Sequence, residues 1–311
     1  MGVIVAIDAG TTGVRAFAVD EAGHPVAWEY REFPQHFPRP GWVEHDPGEI
    51  WAAVEGTLAA LHPRVGPAAA IGVTNQRETT VVWDRSTGKP LGPAIVWQDR
   101  RTAARTDELR DAGVLPRVRQ LTGLVLDPYF SGTKLEWLLG TGGVPSGPGL
   151  AFGTVDSWIV WNLTGGRVHA TDPSNASRTM LYDITALRWS PELCDLLHVP
   201  TSCLPEVRPT CGEFGRVVAG PFTGVPIGGV VGDQQAALFG QTCFARGQAK
   251  NTYGTGSFLL VNTGRELVRS RLPGPLLTRT WDRGSSRLRG ASTSSTPSAS
   301  LRLPFVGRDR S

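Results

Sequence analysis

Residues 8–15 have the sequence Asp-Ala-Gly-Thr-Thr-Gly-Val-Arg and directly follow an apolar run, Val3 to Ile7. The pattern predicts a buried strand that leads into a tight turn of glycine and hydroxyl residues, with a carboxylate at the strand end. Such a turn lets backbone N–H groups and hydroxyls surround a phosphate, because glycine has no Cβ to hold the backbone away. Ordinary hairpin turns use the same residues, so this stretch alone leaves both interpretations open.

A second turn of the same composition lies near residue 255. Residues 251–257 have the sequence Asn-Thr-Tyr-Gly-Thr-Gly-Ser and separate two strand-like segments. Two such turns at distant points of one chain suggest a phosphate-binding cleft between two lobes.

The composition is typical of a soluble α/β protein. The chain has 311 residues, 40% of them hydrophobic, which is enough for one large domain or two ordinary ones. No apolar run approaches the roughly 18–20 residues that span a bilayer, and the N-terminus lacks the basic leader and apolar core of a secretion signal. The four cysteines show no C-x-x-C pairing, so we expect reduced thiols, no cysteine metal site and a cytoplasmic location.

The net charge of +3 comes from the end of the chain. Residues 279–311 contain seven arginines and two aspartates, a net of +5, which leaves 24 basic and 26 acidic residues elsewhere, a net of −2. The slightly negative charge of residues 1–278 does not indicate a surface that binds nucleic acid. The 279–311 segment is rich in Arg, Ser and Thr without strand or helix periodicity, and we expect it to be disordered.

The order of predicted elements indicates a mixed sheet covered by helices, since three strands come first and helices then alternate with strands. The expected strands are Val3–Ile7, Val14–Val19, Pro25–Arg31, Ala69–Thr74, Thr79–Trp83, Ala94–Trp97 and Pro226–Val231. The expected helices are one with Asp46 as N-cap and Pro47 at its start that ends at Pro63, followed by Ser131–Leu139, Val155–Leu163 and Gln234–Gly240.

Two aspartates, Asp8 and Asp233, stand at the carboxyl ends of predicted buried strands, where open α/β sheets bind ligands. Phosphoryl transfer to an alcohol requires a carboxylate for the hydroxyl proton and a divalent metal. Because Asp233 also begins a predicted helix, an N-cap role explains it nearly as well as a catalytic one.

Residues 75–78, Asn-Gln-Arg-Glu, interrupt two predicted strands with four polar side chains. A polyol needs a guanidinium that donates hydrogen bonds and a carboxylate that accepts them, but a solvated hairpin turn also fits this pattern. Trp97, Tyr129 and Phe258 are candidates for the apolar wall of a polyol pocket, and core packing explains each of them too.

Seven blocks carry a resemblance to a known family. They are 8–12 (Asp-Ala-Gly-Thr-Thr), 41–47 (Gly-Trp-Val-Glu-His-Asp-Pro), 74–80 (Thr-Asn-Gln-Arg-Glu-Thr-Thr), 127–134 (Asp-Pro-Tyr-Phe-Ser-Gly-Thr-Lys), 175–180 (Asn-Ala-Ser-Arg-Thr-Met), 232–240 (Gly-Asp-Gln-Gln-Ala-Ala-Leu-Phe-Gly) and 250–256 (Lys-Asn-Thr-Tyr-Gly-Thr-Gly). In their order and spacing these blocks closely resemble the glycerol kinases of the FGGY carbohydrate kinase family. The resemblance extends from residue 3 to about residue 278.

The resemblance implies the actin-like, ribonuclease-H-like ATPase fold and the phosphorylation of glycerol to glycerol 3-phosphate with ATP and Mg²⁺. Asp233 would be the general base, and the glycerol ligands would be Arg77, Glu78, Trp97, Tyr129, Asp233, Gln234 and Phe258. The nucleotide ligands would be Thr11, Thr12, Gly13, Arg15, Gly254, Thr255 and Gly256, and Asp8 would position Mg²⁺ through water. Full-length relatives are expected to form homo-oligomers.

The resemblance ends after Thr278, whereas family members continue well beyond that point. We therefore expect an FGGY N-terminal domain over 1–242, the first hairpin of the C-terminal domain over 243–278 and a disordered tail over 279–311. This arrangement suggests a frameshifted or truncated glycerol kinase whose activity is lost. The alternatives are a non-catalytic remnant that binds glycerol, or a kinase for another polyol or sugar. An actin-like filament protein would share the Asp8 turn without needing Arg77, Glu78 or Asp233.

Overall fold

A computed structural model describes residues 2–253, 257–264 and 268, together with the strands at 276–278 and 298–301. The strands in this part of the chain are β1 (Val3–Ala9), β2 (Gly13–Val19), β3 (Pro25–Glu32), β4 (Glu44–His45), β5 (Ala68–Asn75), β6 (Val81–Asp84), β7 (Ala94–Ile95), β8 (Leu150–Gly153), β9 (Ala170–Thr171), β10 (Tyr182–Asp183), β11 (Arg188–Trp189), β12 (Glu206–Val207), β13 (Ile227–Gly232), β14 (Ala249–Tyr253), β15 (Ser257–Asn262), β16 (Leu276–Thr278) and β17 (Ser298–Leu301). The helices are α1 (Pro47–Val65), α2 (Ala103–Asp111), α3 (Leu115–Thr122), α4 (Ser131–Leu139), α5 (Val155–Leu163), α6 (Pro173–Ala176), α7 (Pro191–Leu196) and α8 (Asp233–Gly240), with a 3₁₀ turn at Thr201–Cys203.

Five strands form a mixed sheet in the order β13-β5-β1-β2-β3. Strands β1, β2 and β3 pair antiparallel, whereas β5 runs parallel to both β1 and β13. Neighbouring antiparallel strands need only short turns, while the parallel strands are reached through crossovers that contain helices. This topology confirms the predicted mixed sheet with flanking helices.

Helix α1 packs against β2 and β3 and begins as predicted. The Asp46 carboxylate accepts a hydrogen bond from the Gly48 N–H at 2.7 Å, and Pro47 occupies the first helical position. The predicted end at Pro63 is wrong, because the helix continues to Val65. A proline so near the end of a helix forfeits a single hydrogen bond, and Gly66, at φ +67°, supplies the actual stop.

Two apolar clusters fill the layers beside this sheet. The first joins the sheet to α1 and α5 through residues such as Ile7, Ile50, Ile71 and Ile159. The second surrounds α4 and β8. Helices α4 and α5 have the predicted bounds, and the residues of α5 are buried almost throughout.

A second sheet begins after α8, in the order β14-β15-β17-β16. The predicted phosphate turn at 254–256 lies outside the described residues. Within the 279–311 segment, β17 differs from the predicted disorder because its backbone pairs with β15, where Leu259 faces Leu301 and Asn262 faces Ser298. An unpaired strand edge readily accepts such a partner. The other residues of that segment lie outside the described part, where disorder stays a prediction.

No helix among the described residues is long and apolar enough to cross a membrane.

Candidate active site

A row of side chains crosses the central sheet at the carboxyl end of β1. Asp8 pairs with Arg15 on β2 and with Thr74 on β5, and Thr74 pairs with Val231 on β13. Directly paired residues share one face of a sheet, and adjacent strands lie about 4.8 Å apart. Asp8 and the residues that follow β13 therefore lie at the same edge of the sheet.

The acidic character of this edge is visible at Asp8. Burial raises the pKa of Asp8 above its ordinary value, the Asp233 charge raises it further, and Arg15 partly opposes both effects. On β5, which lies between β1 and β13, Thr74 Oγ1 is buried without a hydrogen-bond partner in the described part of the chain. Mg²⁺ prefers such hard oxygen ligands, and one or two carboxylates plus substrate phosphates are its usual set. Asp8 and Asp233 are the carboxylates that could hold Mg²⁺ together with substrate phosphates; no group of three or more His, Cys, Asp or Glu side chains among the described residues forms a metal site by itself.

Asp233 is the first residue of α8, and Gly232 occupies the N-cap position. The structure therefore decides against the N-cap interpretation of Asp233. Its Oδ1 accepts hydrogen bonds from Arg77 Nε at 3.0 Å and from the Gln234 N–H at 2.7 Å. The Asp233 side chain remains 36% exposed, which leaves it accessible to a ligand in the cleft.

Arg77 is a buried cation that reaches across from the end of β5 to Asp233. Burial alone would lower the pKa of Arg77, but the Glu78 and Asp233 carboxylates raise it above its ordinary value. Its stem passes Gly232, where a Cβ would lie only 2.6 Å from Arg77 Cδ. Gly232 is therefore required for this close approach, independently of any backbone strain.

Glu78 was predicted as a polyol ligand, and it is held by a residue that the sequence did not single out. Its Oε1 accepts a hydrogen bond from Arg178 Nε at 2.5 Å, and both side chains are buried. Glu78 also has φ +63°, a left-handed conformation that is uncommon outside glycine and recurs at functional sites. Arg178 lies in the block that begins at Asn175. A buried glutamate needs a cationic partner, and this requirement is the signal that could have identified Arg178.

The three predicted wall residues form one aromatic cluster. The Trp97 ring centroid lies 5.6 Å from that of Tyr129 and 6.3 Å from that of Phe258, both in edge-to-face geometry. A buried lysine, Lys134, supports this cluster, since its Nζ donates to the Tyr129 carbonyl at 2.9 Å and to the Val96 carbonyl at 3.3 Å. Burial lowers the pKa of Lys134 to about 7.

Gln234 is held in place from two sides. Its Nε2 donates to Asp233 Oδ2 at 3.2 Å, and its Oε1 accepts a hydrogen bond from Lys250 Nζ. Lys250 also donates to Thr252 Oγ1 at 2.6 Å, and burial lowers its pKa to about 8. Lys250 opens the last of the seven blocks, but nothing in the sequence showed that it contacts Gln234.

The predicted nucleotide ligands fall into four groups. Thr11 and Thr12 have hydroxyls bound to aromatic residues, since Thr11 Oγ1 accepts from Trp97 Nε1 at 3.0 Å and Thr12 Oγ1 lies 3.3 Å from the Tyr30 hydroxyl. Arg15 is exposed and lies 5.7 Å from the centroid of the Tyr30 ring. Gly13 has a structural explanation, because a Cβ there would lie 2.4 Å from the Arg31 carbonyl oxygen. Gly254, Thr255 and Gly256 lie outside the described residues.

Comparisons with known proteins show which family this chain resembles. Residues 3–240 match the FGGY family of carbohydrate kinases, N-terminal domain. A glycerol kinase of Carboxydothermus hydrogenoformans is 54% identical over 288 residues, which are 89% of this chain and 57% of that protein. A glycerol kinase of Aeromonas salmonicida is 53% identical over 275 residues, which are 86% of this chain and 55% of that protein. The chain thus spans a little more than half the length of these relatives.

Solved structures show the same fold. A crystal structure of Plasmodium falciparum glycerol kinase with ADP superposes with a TM-score of 0.88 at 35% identity and covers 97% of this chain and 60% of its own. A xylulose kinase from Lactobacillus acidophilus reaches 0.84 at 19% identity over 96% of this chain and 59% of its own, a likeness of fold alone. The chain belongs to the FGGY family of carbohydrate kinases, and its central sheet is that of their actin-like ATPase fold.

Proposed function

We propose that this chain binds glycerol and phosphorylates it with ATP to glycerol 3-phosphate, with Asp233 as the general base. The contact between Arg77 Nε and Asp233 Oδ1 at 3.0 Å, beside the buried Glu78 carboxylate, carries this proposal. It brings a donor, an acceptor and a base to one place, as a polyol with a reactive hydroxyl requires. Relatives at 54% and 53% identity that are named glycerol kinase favour glycerol over the ketose of the xylulose kinase, which shares only the fold.

Each residue has a distinct role in this proposal. Arg77 and Gln234 donate hydrogen bonds to substrate hydroxyls, and Glu78 accepts one. The rings of Trp97, Tyr129 and Phe258 cover the carbon-bound hydrogens of glycerol. Asp233 accepts the proton of the attacking hydroxyl, for which its partly exposed carboxylate is suitably placed.

We assign the nucleotide-binding residues to the same edge of the sheet. Thr11, Thr12 and Arg15 donate to phosphate oxygens, and Gly254, Thr255 and Gly256 complete the phosphate contacts, as the family resemblance implies. Asp8 would hold Mg²⁺ through water, and the cation would favour the ionised form of this buried carboxylate, whose pKa is otherwise raised. Mg²⁺ supplies neutralisation of the charge that develops on the phosphate oxygens.

Calorimetric titration of the 311-residue chain with glycerol, together with an assay of glycerol-dependent ADP production, tests the proposal. We expect saturable glycerol binding that Arg77→Met weakens. Turnover within the ordinary kinase range of about 1–100 s⁻¹ would support phosphotransfer and contradict the loss of activity expected from the sequence. The Asp233→Asn variant should retain binding and lose turnover by roughly 10²–10⁴-fold. Failure to bind glycerol, or equal binding of D-xylulose, would contradict the choice of substrate.

A second candidate is glycerol binding without phosphotransfer. Every predicted polyol ligand lies within the described residues, whereas the chain spans only 57% of its relative from C. hydrogenoformans. Glycerol binding by a chain that produces no ADP would identify this second function.

We also propose a cytoplasmic location, which the four free cysteines support. Fractionation of cells that express the chain would test it, and recovery from a secreted or periplasmic fraction would contradict it.

A further inference from the structure

A closed ring of hydrogen bonds joins the polyol residues to the phosphate turn. Trp97 Nε1 donates to Thr11 Oγ1 at 3.0 Å, and the Trp97 backbone N–H donates to Thr79 Oγ1 at 3.3 Å. The Thr79 hydroxyl donates to Gln76 Oε1 at 2.9 Å, and Gln76 Nε2 donates to the Gly10 carbonyl at 3.0 Å. Since Gly10 and Thr11 are consecutive, the ring is complete.

Gln76 is fixed firmly enough to anchor the turn. It is only 2% exposed, and its backbone N–H donates to the Ala9 carbonyl at 2.8 Å. The side chain therefore cannot exchange its Gly10 contact for bulk water without leaving a buried amide unsatisfied. Gln76 immediately precedes Arg77 and Glu78, so the same short segment serves the polyol and the turn.

The contact with Trp97 also determines what Thr11 can do. A threonine hydroxyl has one proton to donate and lone pairs to accept with. Because the indole N–H donates to Thr11 Oγ1, that oxygen acts as the acceptor and its own proton stays available for an anion. A donor oriented in advance binds phosphate without the cost of ordering it during binding.

We propose that Trp97 and Gln76 are positioning residues of the phosphate-binding turn, Trp97 through Thr11 and Gln76 through Gly10. This inference rests on the proposed function, because it assigns Trp97 a second task besides lining the polyol pocket. It predicts that removing the indole N–H weakens nucleotide binding more than glycerol binding, although the ring of Trp97 faces the polyol side.

The test is calorimetric titration of the full 311-residue chain with Mg·ADP and, separately, with glycerol. Trp97→Phe keeps an aromatic wall and removes the N–H donor. We expect it to weaken Mg·ADP binding roughly five- to tenfold and glycerol binding less than about threefold. Trp189→Phe is the matched control, since Trp189 Nε1 donates to the Pro205 carbonyl at 2.7 Å, away from the cleft, and both affinities should be unchanged.

A double-mutant cycle separates positioning from a general packing defect. In a Thr11→Val background, Trp97→Phe should have little further effect on Mg·ADP binding, because its partner is already absent. Gln76→Met gives an independent variant if Trp97→Phe fails to fold, and it should show the same preferential loss of nucleotide affinity.

The outcomes separate the inference from the proposed function. Wild-type chain that binds both ligands, with Mg·ADP affinity unchanged in Trp97→Phe and Gln76→Met, overturns the inference and leaves the proposed function standing. Additive effects in the cycle overturn the assignment to Thr11. Wild-type chain that binds glycerol but not Mg·ADP overturns the nucleotide part of the proposed function and the inference with it.

Discussion

At the scale of single residues, Gly232 determines where Arg77 can lie. A Cβ at this position would be 2.6 Å from Arg77 Cδ and 2.8 Å from Arg77 Cγ. Gly232→Ala should therefore displace the guanidinium from Asp233 and lower glycerol affinity about tenfold or more, as titration calorimetry would measure. Gly240→Ala, at the other end of α8 where a Cβ meets nothing within 4 Å, is the control and should bind glycerol normally.

The ion pair between Glu78 and Arg178 is the second residue-scale case. Both side chains are 2% exposed, so removing one leaves the other buried and uncompensated. Arg178→Met should lower the free energy of unfolding by about 3–5 kcal/mol in urea denaturation, and adding Glu78→Gln should recover part of that loss. Arg117→Met removes one member of an exposed pair and should leave the midpoint nearly unchanged. Equal effects of Arg178→Met and Arg117→Met would contradict the burial argument.

At the scale of elements, Gly13 begins β2 and pairs with Glu32 at the end of β3. A Cβ there would lie 2.4 Å from the Arg31 carbonyl oxygen and 2.7 Å from the Tyr30 hydroxyl. Gly13→Ala should therefore destabilise the pairing of β2 with β3 by about 1–3 kcal/mol in urea denaturation. Gly72→Ala in β5, where a Cβ meets nothing within 4 Å, is the matched control. Normal stability of Gly13→Ala with weakened nucleotide binding would instead assign Gly13 to the phosphate alone.

Element boundaries show where local patterns suffice. The caps and apolar spacing predicted the start of α1 and both bounds of α4 and α5, because these signals act within a few residues. The end of α1 beyond Pro63 and the short strand β4 were not predicted. Both depend on which neighbouring element is available to pair or pack, and a local pattern does not contain that information.

At the scale of the whole molecule, buried titratable groups make stability depend on pH. Burial raises the pKa of Asp156 to about 7, against the hydrogen bonds that it accepts from Thr154 and Thr171. The folded chain therefore keeps this proton over a range in which the unfolded chain has lost it, so the contribution of Asp156 to stability falls as pH rises from about 4 to about 7. The pKa values of His45 and His169 are lowered to about 4 by burial, and their contributions rise with pH from about 4 to about 6.5.

Asp156→Asn isolates the aspartate from these opposing histidines. The stability of the wild-type chain relative to this variant should decrease between about pH 4 and pH 7, by about 4 kcal/mol at most. Urea denaturation of both proteins across this range is the measurement. A difference that is constant with pH, or one that increases, would show that Asp156 is ionised in the folded chain.

The candidate site was predictable to a different extent at each residue. Asp8, Arg77 and Asp233 follow from strand ends and from ordered family blocks, so the sequence predicted them as site residues. Arg178, Lys134 and Lys250 were missed as site residues because each acts on a partner far away in the chain, such as Glu78 for Arg178 and Gln234 for Lys250. The N-cap alternative for Asp233 could not be resolved until Gly232 was seen in that position.

The sequence by itself determined the family, the order of the central-sheet strands and of helices α1, α4, α5 and α8, and the residue types of the candidate site. Glycine turns, caps and apolar periodicity are local chemical signals. Only the tertiary structure decided which of these residues touch. It showed that Trp97 donates a hydrogen bond to Thr11 and that Gly232 must lack a side chain to leave room for Arg77. The physical reason is that hydrogen bonds and steric exclusion act over a few ångströms in space, between residues that the chain itself separates by many positions.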